Sequence, residues 1–334
     1  MNRTVKIILI SFVSLLVALL ISISVLLWLV FTPERLTPIV QKQLKNYISC
    51  PAEIKDVELT FFSSFPEFAL KIDGITLVNP TEGAQNDTLL SSGALRATVD
   101  IKEFVKNNKV IITDVLFENL RANLFSDAAG KTNFDVFISD TTAQDTSAFE
   151  NPFDLIKLDK VAVENANISY VDQKSKMTAS IHNLNAEMLM DMKKSVIDLA
   201  LNATTPQISF KTDSTVFLKN ANIRLNVPAK FDMDQMHLTL NNSELEINGL
   251  KAGITGEVNL KNDIITDLQF HTSEYPLKDL LALVPAQYLT SLEGMNITGI
   301  VDSKGTVKGT FNDNSMPVID VTAGLDKGTF AYSA

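Results

Sequence analysis

Residues 195–203 read SVIDLALNA, and the periodicity of this stretch is two. Along an extended chain Val196, Asp198, Ala200 and Asn202 point one way, while Ile197, Leu199, Leu201 and Ala203 point the other. A helix would mix the two sets, whereas a strand separates them into a mixed face and an apolar face. MHLTLNN (236–242) repeats the pattern, with Leu238 and Leu240 opposite His237, Thr239 and Asn241. A sheet of such strands has one apolar and one wet face, the antiparallel signature. Ile197, Leu199, Leu201, Leu238 and Leu240 are therefore candidates for the apolar face of a groove.

The same period runs outward in both directions. Upstream, from about Ala52, it is carried by VELTFF, FALKIDGITLV, ALRATVDI, KVIITDVLFENL and RANLFS, with Gly, Asn, Asp or Pro between them. The polar stretch SDTTAQDTSAFENPF (139–153) reads as an exposed loop. Alternation then resumes from KLDKVAVENANISYVD through IITDLQFHT. One helical insertion interrupts it near 276–293, where Leu277, Leu280, Leu281 and Val284 recur at i, i+3, i+4, i+7. Strands return with MNITGIVDSKGTVKGTFND, where Ser303-Lys304-Gly305 is expected to be a hairpin loop. Gly249, Gly253 and Gly256 are likewise expected at hairpins. The chain stops inside a strand-like run, GTFAYSA, so a truncated piece of a longer polypeptide is expected.

The expected fold is mainly β, with about sixteen strands in meander order. Open sheets beyond about 10 strands curl, split or flatten. At about 4.8 Å per strand, sixteen in one sheet would extend about 75 Å. Two architectures fit: a long curled antiparallel sheet with a concave apolar face (a β-groove), or two sandwiches joined end to end.

The first fifty residues follow another rule. Residues 7–31, IILISFVSLLVALLISISVLLWLVF, are twenty-five residues without a charge. As a helix they would span about 37 Å, enough to cross a hydrocarbon core of about 30 Å with some tilt. The run is too long for a secretory signal core and ends in Trp28-Leu29-Val30-Phe31 without a small-x-small cleavage site, so an uncleaved transmembrane helix is expected. Arg3 and Lys6 precede it, which predicts a cytoplasmic N-terminus and puts residues 32–334 across the membrane. Residues 32–49 then predict a juxtamembrane amphipathic helix opened by Pro38, with Ile39, Val40, Gln43, Leu44 and Tyr47 near one face. The expected organisation is a cytoplasmic N-terminus and anchor over 1–31, that helix over 32–49, and a β-rich region over 50–334.

Composition removes several function classes. The 334 residues are 46% hydrophobic and 20% charged, with 29 Lys and Arg against 39 Asp and Glu, a net charge of −10. An acidic chain without basic runs repels phosphate backbones, so no nucleic-acid partner is expected. One cysteine, Cys50, cannot form an internal disulfide, and the three histidines lie far apart without metal-ligand spacing. Gly130-Lys131-Thr132 has the closing letters of a phosphate-binding loop, but the first glycine of that motif would fall on Phe125. Neither catalytic, metal nor cofactor-binding residues are expected, and the protein is not expected to be an enzyme. FSDAAGKTNFDVF (125–137) reads as a turn, with Gly130 free to take a positive φ, Asn133 bonding local backbone, and Phe134 and Phe137 packing as the chain re-enters the apolar face.

That stretch also carries a resemblance. The order of anchor, short helix, strands ending in VNP, then VIITDVLFENLRANLFSDAAGKTNFDVF resembles the N-terminal region of the bacterial AsmA family, kin to TamB and the bridge-like lipid transfer proteins. The family's D-x-x-G-x-x-N-[WF] turn is matched by Asp127, Gly130, Asn133 and Phe134. LKDLLALVPAQYLTSLEGMNITGIVDSKGTVKGTF and PVIDVTAGLDKGTFAYSA resemble later AsmA segments. The resemblance implies a single-pass bacterial inner-membrane protein with its bulk in the periplasm. It further implies a part in outer-membrane biogenesis and the cell envelope, by passive phospholipid transfer along an apolar β-groove. Its partners would be membrane lipids, the inner membrane and envelope proteins. The alternative is a non-enzymatic scaffold or assembly factor for outer-membrane proteins.

Overall fold

The structure is a computed structural model. It describes residues 32–60, 68–84, 86–100, 111–136, 138, 156–312 and 315–332, besides single positions 14, 103, 106 and 107. The anchor expected at 7–31 and the polar loop expected at 139–153 lie outside the described residues. No described helix is long and apolar enough to cross a membrane.

Helix α1 (Pro33–Tyr47) leads into β1 (Ala52–Glu53), β2 (Asp56–Thr60), β3 (Phe68–Val78), β4 (Thr88–Val99), β5 (Ile112–Glu118) and β6 (Arg121–Ser126). Long strands follow: β7 (Ile156–Asp172), β8 (Met177–Lys193), β9 (Val196–Thr212), β10 (Thr215–Asp232), β11 (His237–Ile247), β12 (Leu250–Asn259) and β13 (Ile264–Thr272). After β14 (Tyr275–Pro276) come α2 (Leu277–Leu281) and two 3₁₀ turns, then β15 (Met295–Phe311) and β16 (Val318–Tyr332). All sixteen strands belong to one sheet, which settles the choice between one sheet and two sandwiches.

The sheet is mixed where an antiparallel meander was expected. β7 runs parallel to both β5 and β6, while every other neighbouring pair is antiparallel. β5 and β6 form almost one strand, and a parallel neighbour requires the chain to travel back before β7 can start. The described part of that return passes the end of α1, where Ser49 N–H donates to Val136 O (2.8 Å) and Ile138 N–H donates to Tyr47 O (3.0 Å).

Asparagines interrupt several of the long strands and the β5–β6 junction. Asn119, Asn165, Asn183, Asn220 and Asn242 take φ of 50–54°, a left-handed conformation that asparagine tolerates better than most residues. At Asn165, Asn220 and Asn242 the register shifts between neighbouring strands, as at a β-bulge. Each bulge places two consecutive polar residues on the wet side and returns the apolar phase one position later. In β7 the apolar set changes from Val161 and Val163 to Ala166, Ile168 and Tyr170 across Glu164-Asn165. Bulges bend the strand that carries them and steepen its twist. The bulge side chains also join across strands, as Asn165 Nδ2 does to Asn119 Oδ1 (2.7 Å).

Helix α1 closes the β1–β2 edge. Thr37 Oγ1 accepts from Val57 N–H (3.0 Å), Gln41 Oε1 accepts from Ile54 N–H (3.1 Å), and Gln41 Nε2 donates to Ala52 O. These bonds satisfy edge groups that would otherwise template pairing with another chain. Pro38 lies inside the helix, and Pro33 takes the first-turn position expected for it, where a missing N–H costs nothing. The docked face is Leu36 and Val40, packed on Val57, Ile72 and Ile75. Ile39 and Tyr47, expected on that face, are exposed, because the helix is oriented by Thr37 and Gln41 as well as by its apolar residues.

Two glycine expectations change for one physical reason. β15 runs unbroken through Ser303-Lys304-Gly305, and the Phe270 ring covers the place a Gly305 Cβ would take. Gly253 and Gly256 lie within β12, and Gly249 alone of that trio is at its hairpin. Gly256 has φ of 132°, and a Cβ there would collide with the Asp267 carbonyl oxygen on β13. A glycine inside a strand often marks the close approach of another group and not a turn.

Candidate functional site: the apolar face

Directly paired residues on neighbouring strands share a face of the sheet, so the register gives rows across it. One row is Val57, Ile72, Leu95, Phe117, Val163, Ala186, Ala203, Leu225, Leu245 and Ala252. It crosses ten strands without a polar residue, about 43 Å at about 4.8 Å per strand. A second row, on the other side of the bulges, is Ala52, Leu77, Leu90, Ala122, Ile168, Ile181, Ile208 and Ala221.

The five apolar candidates read from the sequence come together here. Ile197 and Leu238 flank Phe231 in one row, and Leu199 and Leu240 flank Ala229 in the next. Leu201 lies between Met188 and Val227. All five are half-buried, so their side chains keep some contact with solvent. The Leu199 row continues through Gly256, Leu268 and Val307 to Ile319 on the last strand.

Cover on this face falls from one end to the other. Under α1, Val57 is 0% exposed. On β16, Ile319 is 64% and Phe330 55% exposed. At one end of β15 the insertion packs on the strand, and Thr215 Oγ1 donates to its Gln287 Oε1 (3.0 Å). The insertion thus reaches from β15 to the β9–β10 hairpin, past the ends of the strands between them. A cavity of about 510 Å³ lies there, lined by Leu281, Leu289, Leu292, Met295 and Ile297 together with Lys278, Glu293 and Asn296.

The opposite face is polar and hollow in places. A cleft of about 490 Å³ is lined by Lys160, Glu187, Asn202 and Arg224 together with Leu116 and Ala162, and another of about 420 Å³ by Gln269, His271, Lys304 and Asp320 together with Phe270. Twist makes a sheet saddle-shaped, so each face is hollow along one diagonal. Lys160 is ion-paired with Glu187, whose hydrogen bond holds the lysine above its usual pKa range. Arg224 pairs with Glu246 at 3.1 Å.

Among the described residues the histidines lie apart from one another. His182 lies 3.3 Å from Asn167 Oδ1, His237 lies 3.4 Å from Glu257, and His271 packs over Gly253 on another strand. Among the described residues no group of three or more His, Cys, Asp or Glu could hold a metal ion. Cys50 is buried with Leu77, Leu89 and Val136, and burial pushes its thiol pKa up, away from the reactive thiolate.

The FSDAAGKTNFDVF turn reverses the chain after β6 and starts the return toward β7. Asp127 Oδ1 accepts from Ala129 N–H (2.8 Å) and Lys131 N–H (2.9 Å), and Gly130 takes φ of 86°. Asn133, 0% exposed, is its anchor: Oδ1 accepts from Phe125 N–H and Nδ2 donates to Asn123 O, both at 2.8 Å. Phe125 and Val136 are buried, whereas Phe134 is 39% exposed and meets Tyr170 edge-on. Phe134 was expected to pack inward, but the buried amide takes that place. Phe137 lies outside the described residues. Asn133→Ala would strip partners from two backbone groups of β6, at about 1–3 kcal/mol each. We expect a loss of about 2–4 kcal/mol, read from urea unfolding followed by circular dichroism, with Asn133→Asp intermediate because it keeps the acceptor.

An apolar strip left half-open on a helix-capped sheet, with this turn in its parallel crossover, defines a protein built on one sixteen-stranded sheet. The AsmA family profile matches residues 1–278, and the chain belongs to the AsmA family. No curated protein and no solved structure matches it.

Proposed function

We propose that this chain is an inner-membrane-anchored periplasmic protein that passes phospholipid along its apolar sheet face. The observation that carries the reading is the ten-strand apolar row, left half-open to solvent over most of its length. Each Å² of apolar surface left in water forgoes about 25 cal/mol, so such a strip is costly unless something covers it. Acyl chains lying along the rows recover that free energy while head groups stay in water. The bulges would bend the strands around the chains, giving the groove. No bond is made or broken in this mechanism, and no cofactor is needed.

The charge-free run at 7–31 is the anchor, and Arg3 and Lys6 fix its orientation. Membership of the AsmA family fits a part in outer-membrane biogenesis. The full chain, purified in mild detergent, is expected to retain phospholipid detectable by mass spectrometry. Lipid-free protein with an intact sheet would sink the reading.

One second reading draws on β16, whose fifteen residues are all exposed. In it the chain is a scaffold that binds outer-membrane proteins by strand pairing. Co-purifying polypeptide in place of lipid would select it.

A further inference from the structure

The cavity beneath the helical insertion lies on the apolar side of the sheet, where Met295 and Ile297 contribute to it, and not on the side of the two clefts. Its floor is apolar: Ile297 is buried, and Leu281, Leu289, Leu292 and Met295 are half-buried. Its rim is charged: Lys278 and Glu293 are both exposed. Among the described residues neither forms an ion pair, although eleven such pairs are made elsewhere. Met295 and Ile297 pair with Tyr332 and Phe330 on β16, so the floor continues into the exposed apolar side of the last strand. A volume of about 510 Å³ lies within the roughly 300–1,000 Å³ of pockets that hold a small molecule.

An apolar floor with one free cation and one free anion at its mouth is complementary to an amphiphile bearing both charges. We propose that this cavity is a docking site for a single glycerophospholipid with a zwitterionic, phosphate-plus-ammonium headgroup. One acyl chain enters between Leu281, Leu289 and Ile297. The headgroup phosphate meets the Lys278 ammonium, and the headgroup ammonium meets the Glu293 carboxylate. The insertion would then select the lipid that lies on this part of the strip. This rests on the apolar face being a lipid surface, and adds a place and a headgroup class to it. A purely anionic lipid satisfies Lys278 but sets Glu293 against a like charge, which opposes binding.

The test uses the full chain in detergent, incubated with vesicles containing either a zwitterionic phosphatidylethanolamine or an anionic phosphatidylglycerol. Each lipid carries a photoreactive group at the end of one acyl chain. Crosslinks are mapped by mass spectrometry, and total bound lipid is measured on the same samples. Crosslinks are expected on the 281–297 peptides, with a preference of roughly tenfold for the zwitterionic lipid. Glu293→Lys, an exposed change that spares the fold, is expected to reverse that preference. Equal labelling by both lipids, or a preference unmoved by Glu293→Lys, overturns the headgroup assignment. Bound lipid that crosslinks only along β7–β12 overturns the docking site and leaves the transfer reading standing. Absence of any bound lipid overturns both.

Discussion

Val57→Asp is expected to cost about 4 kcal/mol or more and to release α1 from the sheet. Val57 is fully buried beneath Leu36 and Val40 and packs with Ile72 and Ile75. Removing the apolar side chain forfeits about 1.5 kcal/mol or more. The larger cost is a carboxylate placed among Leu70, Ile72 and Leu95, beside Asp56. Domains are stable by about 5–15 kcal/mol in total, so the loss is a large fraction of the whole. Cys50 reports the event, since it is buried in the neighbouring cluster that also holds Ile48 at the end of α1. Native protein should react slowly with a thiol reagent and the variant rapidly, with Val57→Ala between them. A variant whose Cys50 stays as protected as wild type would show that α1 is not held by this cluster.

Much of this architecture was legible in the sequence, because a strand's period survives wherever one face is apolar. SVIDLALNA and MHLTLNN gave their faces correctly, and the five leucine and isoleucine candidates lie in adjoining rows. The helix before Ala52 and the helical insertion were legible from their i, i+3, i+4 spacing, although the insertion is a short helix and two 3₁₀ turns. The polar doublets inside the strands were less easily read. Glu164-Asn165 and Asn241-Asn242 break alternation for one residue and look like noise in a list of strands. In the structure each is a bulge that keeps the apolar set on one face. A shift of phase at an asparagine, repeated from strand to strand, is the signal that identifies them.

The parallel seam left a weaker trace. Nothing in β7 itself states the direction of its neighbour, since both arrangements accept the same side chains. The trace is the length of chain between Ser126 and Ile156, which exceeds any hairpin and suffices for a crossover. Glycines misled for a related reason: a missing Cβ serves a turn at Gly249 and a close approach at Gly256, and the letter is identical. The Asp127 to Phe134 turn was legible as a turn, but which of its side chains is buried depended on tertiary contacts that a one-dimensional pattern omits.

The largest functional effect is expected from a pair of neighbouring substitutions on opposite faces, Ala203→Glu and Thr204→Glu. Ala203 lies in the ten-strand row between Ala186 and Leu225, at the middle of the apolar strip. A carboxylate there would meet the acyl chains of any lipid on the strip. Burying such a charge in hydrocarbon costs about 2.5–3.5 kcal/mol, part of which the side chain avoids by leaning toward water. Lipid retained by the purified chain should fall at least about tenfold. Thr204 points the other way and pairs with Asn185 and Arg224, so the same charge one residue along lies on the polar face and meets no lipid. The two variants have equal net charge and the same strand position, which removes long-range electrostatics and strand disruption as explanations. Circular dichroism and the urea midpoint should show both folded, with Ala203→Glu the less stable by about 1–2 kcal/mol. Equal lipid retention by the two would mean that the apolar rows are not where lipid lies. In that case the polar clefts around Lys160 and Lys304 would be the surfaces to probe next.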